Sequence, residues 1–119
     1  MKESPARADA ARTIVKAVNA KDPELYASVF AEDAIVQLYE GPVRLTGREA
    51  LHENRRDHFA RYPQIRCEIQ YLAEIGDIVI MHDRVWLEPN TQAPSDVVEI
   101  FSFDENGRQS RRHSAERLT

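Results

Sequence analysis

One cysteine in 119 residues, Cys67, leaves the chain no internal disulfide, so its fold must rest on packing alone. That usage suits a reducing compartment, and Cys67 itself reads as a small buried hydrophobe. Long apolar runs are missing as well. No window approaches the length needed to span a bilayer, and the opening "MKESPARADA" has no apolar core of signal-peptide length. The expectation is a soluble cytoplasmic protein with no membrane partner. A surplus of positive charge is the third absence: 16 Lys+Arg stand against 20 Asp+Glu, a formal charge of −4. Such a chain repels a phosphate backbone at long range, and the pairs Arg55-Arg56 and Arg111-Arg112 are too isolated to reverse that. Nucleic acid is therefore not expected as a partner. There is also no internal repeat, low-complexity segment or linker. The length is that of one domain, expected over residues 1–119. A chain this size buries about two-thirds of the surface its unfolded form exposes, enough for a core and one enclosed pocket.

Start and stop signals divide what is there. Ser4-Pro5 reads as an N-cap followed by an N1 proline, and Ala11, Ile14, Val15 and Val18 recur at helical spacing, giving a first helix that ends near Asn19. Asp22-Pro23 repeats the signal before a short second helix with the stripe Leu25, Tyr26, Val29 and Phe30. Asp33 reads as a turn or cap residue ahead of a strand through Ala34, Ile35, Val36 and Leu38, broken by Gly41-Pro42. Thr46 and Glu49 have capping-box spacing, predicting a third helix from about Gly47 to Arg61, before Pro63. Four strands follow, "IRCEIQYLAEI", "DIVIMHDRVWL", "DVVEIFSF" and "RQSRRHSAERL", with tight turns at Gly76-Asp77 and Asn106-Gly107 and a looser connection through "EPNTQAP". The order α-α-β-α-β-β-β-β is that of an α+β fold with helices on one face of an antiparallel sheet.

Within the second of these strands, Ile78 to Met81 is apolar at both parities, whereas a strand with one wet face alternates. One layer of helices covers only one face of the sheet, so a homodimer is expected to cover the other. The run then turns polar. His82 and Arg84 must share one face and Asp83 the other, because side chains in a strand alternate.

The phrases "VNAKDPELYASVFAEDAIVQ", "LTGREAL" and "DVVEIFSFDENGR", with the element order, resemble the nuclear transport factor 2-like superfamily, in particular its SnoaL-like and ketosteroid-isomerase-like members. The resemblance covers about residues 6 to 116. It implies a cone: a strongly curved antiparallel sheet wrapped around three helices, with a pocket between them and a convex face often used for dimerisation. By similarity to the isomerases, the even-numbered residues of the strand Ile78 to Leu87 point inward, placing His82, Arg84 and Trp86 in the pocket with Glu99, Phe101 and Phe103 of the next strand. Asp83 and Val85 then face out. The isomerase's base and tyrosine donor fall on Leu38 and Ile14, neither able to move a proton, while its second donor, a carboxylic acid kept neutral, falls on Glu99. A cyclase-type base near the last strand has no clean match among Arg112, His113 and Ser114.

On this reading His82 is the acid or base, Arg84 stabilises an enolate or binds a carboxylate, and Glu99 orients them or donates a proton. Trp86, Phe101, Tyr62 and His58 complete the ligand-binding set, the last two from the third helix. Each has a plainer role. His82 is more often a hydrogen-bonded core histidine, Glu99 serves as well to neutralise a buried Arg84, and the aromatics serve as wall. His52 and His58 are six apart, on different helix faces, so no metal site is expected, nor any cofactor. Glu40, near the expected cone mouth, is a substitute base or an exposed loop carboxylate. Two functions stay open: an acid–base enzyme, isomerase-like or lyase-like, acting on a small hydrophobic molecule, and a non-catalytic ligand-binding or dimerisation module. An epoxide-hydrolase-like enzyme ranks last, since it needs an arginine flanked by two acids, and Arg84 with Glu99 supplies one.

Overall fold

The computed structural model describes residues 5–117. Its elements are α1 (Pro5–Ala20), α2 (Pro23–Ser28), β1 (Phe30–Leu38), β2 (Val43–Thr46), α3 (Arg48–Arg61), β3 (Arg66–Ile75), β4 (Ile78–Trp86), β5 (Ser95–Phe103) and β6 (Gln109–Arg117). The fold is α+β, three helices against a curved, unclosed six-stranded sheet in the order β2-β1-β6-β5-β4-β3. Bulges in β1, at Val36/Gln37, and in β3, between Ile69 and Tyr71, add twist where the sheet bends. Among the described residues no helix is long and apolar enough to cross a membrane.

Most starts and stops lie where the sequence puts them. Asp22 caps α2 by accepting from the Leu25 N–H at 3.0 Å, with Pro23 in the first turn. The Ser4 cap lies outside the described residues. Four readings need correction. The first strand begins at Phe30, so Asp33 is an exposed strand residue and not a turn. Gly41-Pro42 does not end the sheet there but turns β1 back into β2, a four-residue strand in which Leu45 alone is partly buried. Thr46 closes β2, and the N-cap of α3 is Gly47, with no side-chain cap and a φ of 96° that only glycine adopts without strain. The sheet is also not antiparallel throughout, because β1 runs parallel to β6.

Register fixes which side chains face the helices. β4 and β5 pair with Val79 opposite Phe101 and Met81 opposite Glu99, and all four are buried under the helices with Ile14 and Val18 of α1, Tyr26 of α2 and Leu51 and Phe59 of α3. Burying each large apolar side chain contributes about 1.5–3 kcal/mol, which makes the odd-numbered face of β4 the core face. Alternation then carries Asp83 inward as well. His82, Arg84 and Trp86 go to the opposite face, against the expectation drawn from the isomerases.

Candidate functional site

Three adjacent strands bring together an acid, a second acid and a base. Glu99 on β5 stands opposite Met81 of β4 and Ser114 of β6. Asp83 is two residues along β4 and Arg112 two residues along β6, on opposite diagonals from Glu99 and within reach of its long side chain. The Arg112 guanidinium lies 3.2 Å from Glu99 Oε1 and also donates to the Tyr26 hydroxyl oxygen. Burial opposes its charge, yet Tyr26, Glu99 and Asp83 together raise its pKa.

Asp83 is the most perturbed carboxyl described. Burial first, then the repulsion of Glu99, push it up to about 9, so it holds a proton at neutral pH. Its Oδ2 accepts from the Cys67 thiol at 3.1 Å and a hydrogen bond with Glu99 helps it keep its proton, while the Nε of Arg112 is buried with no hydrogen-bond partner among the described residues. Burial first, then Asp83, which also accepts the thiol's hydrogen bond, pushes the Cys67 thiol up and keeps it protonated. Cys67 is held in place by Asn19 of α1, whose side-chain amide donates to the Cys67 carbonyl at 2.9 Å and accepts from its N–H at 2.8 Å, imitating a neighbouring strand.

These groups line one cavity of about 230 Å³. Its apolar walls include Ile14 and Val18 from α1 and Ile65, Val85 and Val97 from the sheet side. Tyr26 and two residues of α3, Arg55 and His58, supply the rest of the helix wall. His58 is held down to about 4 by burial and by the charges of Arg55 and Arg61, so its imidazole is neutral at pH 7, and its ring packs edge-on to Tyr62 at 5.1 Å.

The expected site is thus partly reassembled. Glu99 and His58 line the cavity, Phe101 is fully buried core beside it, and Tyr62 packs behind His58. His82 and Arg84 do not reach it: both lie on the outer face, half-buried, bonded to Asp96 Oδ1 at 2.8 and 3.2 Å. Glu99 therefore neutralises Arg112 and not Arg84. Trp86 is also outside, with the Arg66 guanidinium 4.4 Å over its ring. His113 stands opposite Ile100 and shares that outer face, and Glu40 is exposed in the β1–β2 turn. His52 opens on a separate groove beside α3. Asp83, Arg112, Tyr26, Cys67 and Arg55 are the site residues that sequence reasoning missed. What places Asp83 and Arg112 beside Glu99 is the register of the three strands, which the sequence does not print.

Residues 11–112 match the SnoaL-like domain family, and the chain belongs to it. Its fold is similar to that of an uncharacterised cystatin-fold protein from Novosphingobium aromaticivorans, at 29% identity over 96% of this chain and 99% of that one, with a TM-score of 0.83. A putative ketosteroid isomerase from Kribbella flavida matches at 19% identity, 98% and 81% coverage and a TM-score of 0.79. An LEH-like epoxide hydrolase of M. tuberculosis matches at 15% identity, 98% and 86% coverage and a TM-score of 0.79. The last two, at such identity, speak for the fold alone. None of the curated proteins matches the chain.

Proposed function

We propose that this chain is a proton-transfer enzyme, isomerase-like or lyase-like, acting without cofactor on a small, mostly apolar molecule that carries a carbonyl oxygen. The observation that carries the reading is the opposite displacement of two titratable groups in one cavity, Asp83 up to about 9 on the sheet wall and His58 down to about 4 on the helix wall. At neutral pH Asp83 holds a proton it is able to give, and His58 lacks one it is able to take. His58 removes a proton from the carbon beside the carbonyl while Asp83 donates to the carbonyl oxygen, giving an enol. Return of the proton from His58 to a different carbon, with Asp83 recovering its own from the oxygen, releases an isomer and restores both groups. Burial first, and then the charge and hydrogen bond of Glu99, itself paired to Arg112, keep Asp83 protonated. The epoxide-hydrolase-like reading is weaker: the central group here is Glu99, with Arg112 on one diagonal and Asp83 on the other, and not an arginine between two acids.

A non-catalytic binding module is the second reading. It is favoured by Ile14 and Leu38, which stand where the resemblance puts the isomerase's tyrosine and base. Exchange of α-protons in a panel of small cyclic enones dissolved in heavy water, followed by proton NMR, separates the two. The enzyme reading expects exchange above the buffer rate, with limbs near about 4 and about 9. It also expects a loss of about hundredfold or more in His58→Gln and in Asp83→Asn. Exchange at the buffer rate in the wild type, with ligand still bound, leaves the binding module.

A further inference from the structure

One guanidinium in the cavity has no anion against it. Arg55 lies one turn before His58 on α3, on the same helix face and on the same cavity wall. Its Nε and Nη2 both donate to Oδ1 of Asn54, at 3.0 and 2.7 Å, and its Cζ lies 5.2 Å from the centre of the Tyr26 ring. Among the described residues no carboxylate comes within ion-pair range of it, and its Nη1 has no acceptor. Glu99, which lines the same cavity, is already paired with Arg112. The cavity thus holds two guanidinium groups against one paired carboxylate, with Asp83 protonated. In a chain of formal charge −4 this is a local reversal of sign. The charge of Arg55 is felt inside the cavity, since it is one of the causes that hold His58 neutral.

A guanidinium is a planar fork that fits the two oxygens of a carboxylate. Arg55 and His58 are half-buried, whereas Asp83 and Glu99 are buried, so Arg55 belongs to the outer end of the cavity and Asp83 to the inner. We infer that the cavity selects a small apolar monocarboxylate, a keto acid whose carboxylate docks on Arg55 while its keto oxygen reaches Asp83. Arg55 is then the residue that sets substrate class. The Asp83 end of this inference rests on the proton-transfer reading, and the Arg55 end does not.

The test is calorimetric titration of the folded full chain with hexanoate and with hexanamide, at neutral pH and low salt. The two probes share a tail and differ in the charge of the head. Hexanoate is expected to bind about tenfold more tightly, as a charge-assisted hydrogen bond allows, and added salt should shrink the difference. Arg55→Gln should bring the ratio close to one, and Arg55→Lys, which keeps the charge, should retain much of it. Equal affinities in the wild type, a preference that survives Arg55→Gln, or no binding of either probe each overturns the inference. The wild-type ratio decides the matter even where a variant folds poorly. Heavy-water exchange is read separately: carboxylate preference without exchange removes the proton-transfer reading alone, and exchange without carboxylate preference removes the substrate class alone.

Discussion

Asp83 and His58 are displaced in opposite directions by the same cause, because burial disfavours whichever form is charged. Their effects on stability also have opposite signs. Between its ordinary 3.8 and about 9, Asp83 binds a proton in the native state that the unfolded chain has lost, so its contribution falls as pH rises. The slope is about 1.4 kcal/mol per pH unit where a full proton separates the two states. His58 is the reverse: between about 4 and its ordinary 6.5 the unfolded chain holds the extra proton, and stability rises with pH, by less than the full slope because the ring is half exposed to solvent. The two oppose each other up to about 6.5, and above it only Asp83 acts, up to about 9. Urea unfolding across this range should show stability falling from about 6.5 to about 9, and Asp83→Asn should remove that fall. Identical pH profiles for the two proteins above 6.5 would place Asp83 in contact with water. The sequence hides this residue for a physical reason. Ile78, Val79, Ile80 and Met81 are apolar on both faces, so they carry no parity from which the inward direction of Asp83 is readable.

Elements were far more legible than faces. The start of α2, the end of α3 before Pro63 and the four long strands follow from capping, proline and turn residues, which act locally and leave their mark in a few consecutive positions. Pairing acts across the sheet and leaves none, which is why Arg84 was assigned to Glu99 while Arg112, from a strand thirteen residues further along than Glu99, is its true partner. The short β2 escaped because only Leu45 of its four residues packs against the core, too little to announce a strand. The β4–β5–β6 arrangement makes a definite demand. Glu99→Gln leaves Arg112 buried without its counter-charge and should destabilise the fold by about 3 kcal/mol. Adding Arg112→Met removes the orphan charge and should recover much of that loss. Arg84→Met, on the outer face, should stay within about 0.5 kcal/mol of wild type. Denaturant midpoints at fixed pH check all three. A severe loss from Arg84→Met, or no recovery in the double variant, would mean that Glu99 draws its counter-charge from elsewhere.

For the whole molecule the open question is the face that the helices leave bare. Ile75, Tyr71 and Val98 are exposed at 57, 60 and 39%, and Ile78, Ile80 and Ile100 beside them are only half-buried. Register makes these one patch: Ile78 stands opposite Ile75, Ile80 opposite Ile100, and His82 between Tyr71 and Val98. Scattered apolar residues on a surface need no partner, but a contiguous apolar sheet face is the kind of surface that a second molecule covers. A second copy is the simplest cover, since one face packed on itself about a two-fold axis closes the assembly. Dimers of standard size bury about 800 Å² on each partner, well within what several strands present. We expect the protein to sediment as a dimer at micromolar concentration and to dissociate on dilution. Ile80→Lys, which places a charge in the middle of the patch, should shift it to monomer. The cavity lies on the other side of the sheet, so hexanoate binding should persist in that monomer. A wild type that stays monomeric at every concentration would show that the bare face is wet, with His82, Asp96 and Arg84 supplying enough polarity among the isoleucines to hold water there.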